Sequence, residues 1–298
     1  MKHAMNVYGM SCLAALGAAL FLSSCASAPE RPLEITALRS AAEDQIESAN
    51  RAADRGDYEG ALNLLDEARK LAVSTDRPDL RIRESLSRGS VFFYLGRIDE
   101  ADAVWNSTLA EAADDRVLAP VCRIYMARSR IFRLPENSRE RRDEAAGVLA
   151  LVRREMDAVK NHRLYTALAW TVIGLAEKEC GRYAEAEKAL KNSLEIHEKE
   201  RYLEQAAYDW YLIASVRSMS GQYDGAQAAL REALGYDRRA ENSHGLGMDW
   251  IAIGDIHAKT GGTFLAAAAY RRASEIFRSI DLEENALMAE ARLRDLTT

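Results

Sequence analysis

Trp170, Trp210 and Trp250 stand 40 residues apart in this chain, and two further series keep the same step. Gly174, Ala214 and Gly254 form one; Gly181, Gly221 and Gly261 form the other. The same interval separates Gly56 from Gly96 near the start. Three series in one register with one period identify an array. A period of 20–50 residues marks units that each bury an apolar face on their neighbours, so the chain extends by stacking instead of wrapping one central core.

The unit reads as two helices. Trp170 and Gly174, four apart, share one face of a helix that ends near Gly181, where glycine tolerates a left-handed backbone. Tyr183 opens a second helix carrying Ala186, Leu190 and Ser193 at the i, i+4, i+7 spacing of a buried stripe. Small residues at Gly174 and Ala186 bring the two axes close, with Trp170 and Leu190 filling the gaps. The following units repeat the pattern with Trp210, Ile213, Ala214, Tyr223, Ala226 and Leu230, then with Trp250, Ile253, Gly254, Ala266, Tyr270 and Ala273.

This pattern resembles the tetratricopeptide repeat, whose halves read W-x2-L-G-x2-Y and G-x-Y-x2-A. The second half is clearest early, in Gly56-Asp-Tyr58-Glu-Gly-Ala61 with Leu65 and Ala68, and in Gly96-Arg-Ile98-Asp-Glu-Ala101 with Trp105 and Thr108. Between these units and the tryptophan series lies a degenerate third unit. Its first helix is expected from about Val117 to Arg133, with Pro120 in the first turn where proline is tolerated. Its second begins at about Ser138. The resemblance implies an all-α, right-handed solenoid of about six hairpins over residues 35–281, closed by a capping helix over 282–298. The period of 40 against the usual 34 is similar to that of kinesin light chains and bacterial peptide-sensing regulators.

The N-terminus carries a separate signal. Val7 to Leu22 is an apolar run too short for a membrane span, which needs about 20 residues, and it ends in small residues as signal peptides do. Leu22-Ser23-Ser24-Cys25 resembles a bacterial lipobox. The resemblance implies a signal peptide over 1–24, cleavage before Cys25, and a covalent lipid on Cys25 as the only attached group. Several acyl chains anchor firmly where one does so marginally. Ala26 after the cysteine implies the periplasmic face of the outer membrane of a Gram-negative-type bacterium, with the inner membrane as the alternative, and 25–34, with two prolines, reads as a tether.

Charge and motifs exclude several functions. The net charge of −6 argues against sequence-independent nucleic-acid binding. No G-x-S-x-G, H-E-x-x-H, P-loop or zinc-spaced cysteine pair is present, so neither catalysis nor a metal or other cofactor is expected. His197-Glu198 reads as an exposed, solvated pair. Beyond the leader and Cys25 only Cys122 and Cys180 remain. Lying near opposite ends of parallel first helices, they are separated by about twelve residues, roughly 18 Å. A disulfide needs α-carbons within about 7 Å, so both are expected as buried, unpaired thiols.

Partner binding in such arrays is expected on the concave face made by the first helices. With Ser129 aligned to Gly89 and Gly174, that face is predicted to carry Arg83, Phe93 and Tyr94; Arg123, Met126, Arg130 and Arg133; Lys178; Tyr208 and Tyr211; and Asp255 and Lys259. Guanidinium groups clamp carboxylates and tyrosines anchor interfaces. Arg88 and Arg128 project to a normally apolar position, which leaves the register of the second and third units open by one residue. Two functions fit: a membrane-anchored adaptor holding a peptide or helix of an envelope protein, or a carrier of a small apolar or anionic ligand. Solenoids present extended surfaces more often than sealed cavities, which favours the adaptor.

Overall fold

The computed structural model describes residues 34–135 and 138–296; the predicted leader, Cys25 and nearly all of the tether lie outside the described residues. Among the described residues there are 13 helices and no strands. They are α1 (Ala37–Asp54), α2 (Tyr58–Ser74), α3 (Pro78–Tyr94), α4 (Ile98–Glu111), α5 (Leu118–Phe132), α6 (Arg139–Val159), α7 (Arg163–Glu179), α8 (Tyr183–Glu200), α9 (Leu203–Met219), α10 (Tyr223–Ala240), α11 (Ser243–Lys259), α12 (Thr263–Ser279) and α13 (Glu283–Asp295). Each odd helix pairs with the even helix that follows, giving six hairpins, the first through Ile46, Ala49 and Ala53 of α1 against Ala61, Leu65 and Ala68 of α2, and α13 packs on α12 as the cap.

The pairing follows from one size match repeated along the chain. A β-carbon added to Gly174 on α7 would lie 2.6 Å from Leu190 Cγ on α8, so the glycine admits the leucine. Trp105 sits against Gly89 and Tyr270 against Gly254 in the same way, always sixteen residues downstream. Ser129 takes this place in the third hairpin, fully buried, with its hydroxyl donating to Asp102 at 2.6 Å. The register of the second and third units is therefore the aligned one, and Arg88 and Arg128 do occupy inward positions.

Left-handed residues fall into two kinds. In five of the six hairpins the loop holds a left-handed glycine: Gly181 has φ 74°, with its own N–H on Lys178 O and the N–H of Arg182 on Glu177 O, which satisfies the last carbonyls of α7. Between hairpins the left-handed residues are Asp76, Arg201, Glu241 and Asp281, at φ 48–63°.

Two packing expectations change. The tryptophan series is only half-buried, and the largest fully buried side chain is Trp105, on α4. Cys122 is buried in the core as expected, whereas Cys180, the C-cap of α7, is half-buried; both thiols are unpaired in the structure. No described helix is long and apolar enough to cross a membrane.

The superhelix curves until its first hairpin meets its last. Gly56, in the α1–α2 loop, faces the side chains of Leu282 and Ile280 beside the cap. The Tyr58 ring stands edge-on to His244 of α11 with centroids 6.4 Å apart. Beside that contact lies a partly open chamber.

Candidate functional site

The first helices turn toward a chamber of about 360 Å³. Large aromatic side chains make its wall: Tyr58, Phe93, Tyr94, Tyr125, Phe132, Tyr165, Tyr208 and Tyr211. Tyr94 and Tyr208 are 46% and 39% exposed, and that exposed surface faces the chamber. Burial raises the pKa of both phenols, so they remain neutral hydroxyls at any physiological pH.

Arg128 is the chamber's cation. Its residue is 6% exposed, and its guanidinium lies 4.4 Å from the centre of the Phe93 ring, 5.4 Å from that of Tyr125 and 5.9 Å from that of Tyr94. Its Nε and Nη2 find no acceptor in the protein. Arg88, at the equivalent place one hairpin earlier, donates instead to Glu84 at 2.7 Å and Asp66 at 2.8 Å.

Another part of the wall is acidic, with Asp54, Glu204, Asp237 and Asp249. Burial, with Glu204 and Asp237 adding repulsion, pushes Asp54 up to about 8. Burial likewise raises Asp237 to about 7, although Asn242 donates to it at 2.8 Å. Asp249 is raised by burial and by Asp237 beside it, and the two carboxyls hydrogen-bond to each other. Two carboxyls in contact in a low-dielectric space share a proton. His244 is held neutral by desolvation alone.

A buried polar group adjoins the chamber. His197 Nδ1 lies 2.8 Å from Asp209 Oδ2 and 3.4 Å from Ser193 Oγ, while Thr171 donates to Asp209 Oδ1 at 3.1 Å. The residue types are those of a serine hydrolase, but the geometry is not. A proton relay needs the serine and the acid on opposite ring nitrogens; here both meet Nδ1, and Ser193 is fully buried. His197 is also not the solvated residue expected from its neighbour Glu198, which accepts from the Tyr236 hydroxyl at 2.6 Å.

Of the residues predicted on the concave face, Phe93, Tyr94, Tyr208 and Tyr211 line the chamber together. The charged ones do not join them, because each finds a partner within the protein. Arg83 pairs with Glu43 at 3.1 Å, Arg123 with Glu155 at 3.0 Å, Arg130 with Glu144 at 2.5 Å, and Arg133 with Asp99 and Asp102, each at 2.8 Å. Lys178 meets Glu179 at 3.3 Å and Lys259 donates to Ser218 at 3.5 Å. Asp255 accepts from Tyr270 and Arg292, and Met126 packs half-buried on the core. The arginines of α5 thus brace adjacent helices instead of forming one open clamp. Sequence reasoning assigned no site role to Arg128 or the acidic group. The signal for Arg128 was there, as a charge at an apolar register position; the acidic residues lie on separate units and carried none.

A tetratricopeptide-repeat family model matches residues 167–200, which cover α7 and α8. Among solved structures, a Rap protein complexed with competence and sporulation factor is similar with a TM-score of 0.57 and 13% identity, over 86% of this chain and 75% of that one. BtubC from P. vanneervenii matches with a TM-score of 0.51 and 17% identity, over 81% and 92%. A thermophilic tetratricopeptide protein of Thermus thermophilus matches with a TM-score of 0.48 and 19% identity, over 69% and 99%. No curated protein sequence matches the chain significantly. The fold is that of a tetratricopeptide-like helical repeat, an architecture that in general serves as a non-catalytic scaffold for protein–protein interaction.

Proposed function

We propose that the protein is a lipid-anchored, non-catalytic adaptor that holds a peptide segment of an envelope protein in its central chamber. The lipid on Cys25 places it on the periplasmic face of the outer membrane. The observation that carries the reading is the chamber: aromatic walls with a few convergent polar groups are what a ligand site presents. Its volume of about 360 Å³ and its aromatic lining suit a peptide segment that inserts several side chains. The same lining, with Arg128 in it, also suits a small anionic solute, the second reading.

The test is crosslinked capture from native membranes with three proteins: wild type, Tyr94→Ala/Tyr208→Ala in the chamber, and Arg123→Gln/Arg130→Gln outside it. The adaptor reading expects an envelope protein captured by wild type and by the outer variant, and lost from the chamber variant. Loss from the outer variant alone would move the binding face away from the chamber. A Cys25→Ser protein is expected to leave the membrane fraction, and its retention there would remove the lipid anchor from the proposal.

A further inference from the structure

Resting on the peptide reading above, we propose that the chamber takes a short peptide by both of its ends, with a free terminal carboxylate on Arg128 and the ammonium group on the acidic wall of Asp54, Glu204, Asp237 and Asp249. The chamber holds uncompensated groups of two opposite kinds. Arg128 brings two donors without acceptors, Nε and Nη2. The acidic wall brings four carboxyls, none of which forms an ion pair with a cation among the described residues, Asp237 and Asp249 meeting each other instead. Arg128 and Asp249 line the same space, and both are more than nine-tenths buried. Burying a guanidinium whose donors lack acceptors costs free energy that a bound anion would recover. Stacking on Phe93, Tyr94 and Tyr125 offsets part of the desolvation, but a ring face offers no directional acceptor for a planar donor fork. A carboxylate presents two oxygens at the spacing of that fork, which makes it the matching group.

Tyr94, its ring 5.9 Å from the Arg128 guanidinium, lines the same space as Asp54. The two poles thus belong to one chamber of about 360 Å³, where a single short peptide can meet both, and the aromatic walls suit apolar side chains. A single anion would leave the acidic wall unmet, and a single cation would leave Arg128 unmet.

The acidic pole adds a second signature. Asp237 and Asp249 share a proton, and the cations near the wall, Arg55 by Asp54 and Arg238 by Asp249, do not ionise it fully. His244 and Tyr58, which also face this region, are neutral at pH 7. An arriving ammonium group favours the fully ionised pair, so the shared proton leaves to solvent as the ion pair forms. Peptide binding is thus expected to release protons at pH 7 and to weaken at pH 5.5.

The test uses the purified protein and three libraries of random tetrapeptides: both termini free, carboxy-amidated, and amino-acetylated. Retention is read by native mass spectrometry, and proton release by calorimetry in buffers of different ionisation enthalpy. Selected free peptides are expected to bind, amidation to weaken them by about tenfold to a hundredfold as fits a lost hydrogen bond to a charge, and acetylation to abolish proton release. Arg128→Gln is expected to bring free peptides to the amidated level, with no further loss on amidation. Equal binding of free and amidated peptides to wild type would overturn the carboxylate anchor and leave the peptide reading standing, without relying on how the variant folds. Equal proton release by acetylated peptides would overturn the ammonium site. If no peptide binds while phenylacetate binds and is lost in Arg128→Gln, the peptide reading and the two-ended grip both fall, and only an anion site remains. If neither binds, nothing of the proposal survives.

Discussion

Two successive repeat junctions place ionisable side chains at equivalent positions and satisfy them differently. At the α8–α9 junction His197 faces Asp209; forty residues later, at the α10–α11 junction, Asp237 faces Asp249. The first pair is closed: Asp209 accepts from Thr171 and meets His197 Nδ1 at 2.8 Å. The second is an acid against an acid: Asn242 donates to Asp237 Oδ1, and the two carboxyls are left to hydrogen-bond to each other with no cation between them. Backbone, burial and register are alike, so the exchange of histidine for aspartate is what turns a structural cross-brace into an open acidic wall.

The largest expected effect comes from breaking the closed pair. Asp209→Ala removes the acceptor of Thr171 and the partner of His197, all buried. Stripping one partner from a buried, hydrogen-bonded pair costs about 3–5 kcal/mol, and urea unfolding at pH 7 is expected to show a loss of that order. Asp249→Ala, the matching change at the open pair, is expected to cost much less, because it also removes like-charge repulsion. Equal losses at the two sites would erase the distinction between the junctions.

A smaller effect tests the shared proton. Asp237 has a folded pKa of about 7 against an ordinary 3.8, and Asp54 one of about 8. Between those values the folded chain holds protons that the unfolded chain has released. Their stabilising contribution is therefore complete below about pH 4 and is lost as pH rises through about 7 to 8. Unfolding midpoints are expected to fall from pH 5 to pH 8. Asp237→Asn, which mimics the protonated form, is expected to flatten that fall and to gain roughly 1–2 kcal/mol at pH 8 with little change at pH 5. An unchanged slope in the variant would assign the pH dependence to other groups.

The contrast also marks what could be read from the chain before it was folded. The hairpins were legible because the 40-residue series records a local packing need: Leu190 requires a small residue sixteen positions earlier, and Gly174, Ala214 and Gly254 repeat that requirement. The degenerate third hairpin was legible for the same reason, with Ser129 at the small position and Ser138 as the N-cap of α6. Closure of the superhelix was not, because it depends on small rotations accumulated over all six hairpins and appears only as Tyr58 meeting His244 and Gly56 meeting Leu282. The chamber was legible only in part, through Phe93, Tyr94, Tyr208 and Tyr211. Arg123, Arg130 and Arg133 do share a helix, but helical spacing says nothing of Glu155, Glu144 and Asp102 waiting on neighbouring helices. Arg128 was visible as a misfit, but so was Arg88, and only the structure shows that Arg128 lines the chamber while Arg88 bonds to Glu84 and Asp66.

The smallest expected effect asks whether the junctions differ anywhere besides their ion pairs. Each reaches its second helix's end through a left-handed residue that is not glycine, Arg201 at φ 63° and Glu241 at φ 55°, and both are exposed. A side chain in that conformation costs about 1–2 kcal/mol relative to the right-handed form. Glycine removes that strain but loses more freedom on folding, which offsets part of the gain. Arg201→Gly and Glu241→Gly are each expected to stabilise by about 0.5 kcal/mol, equally and independently of pH between 5 and 8. Equal gains would show that the two backbones carry the same strain, leaving the residue pairs as the source of the contrast. A gain confined to Glu241→Gly would mean that the open junction is also strained in its backbone, and the acidic wall would then owe part of its instability to the turn beside it.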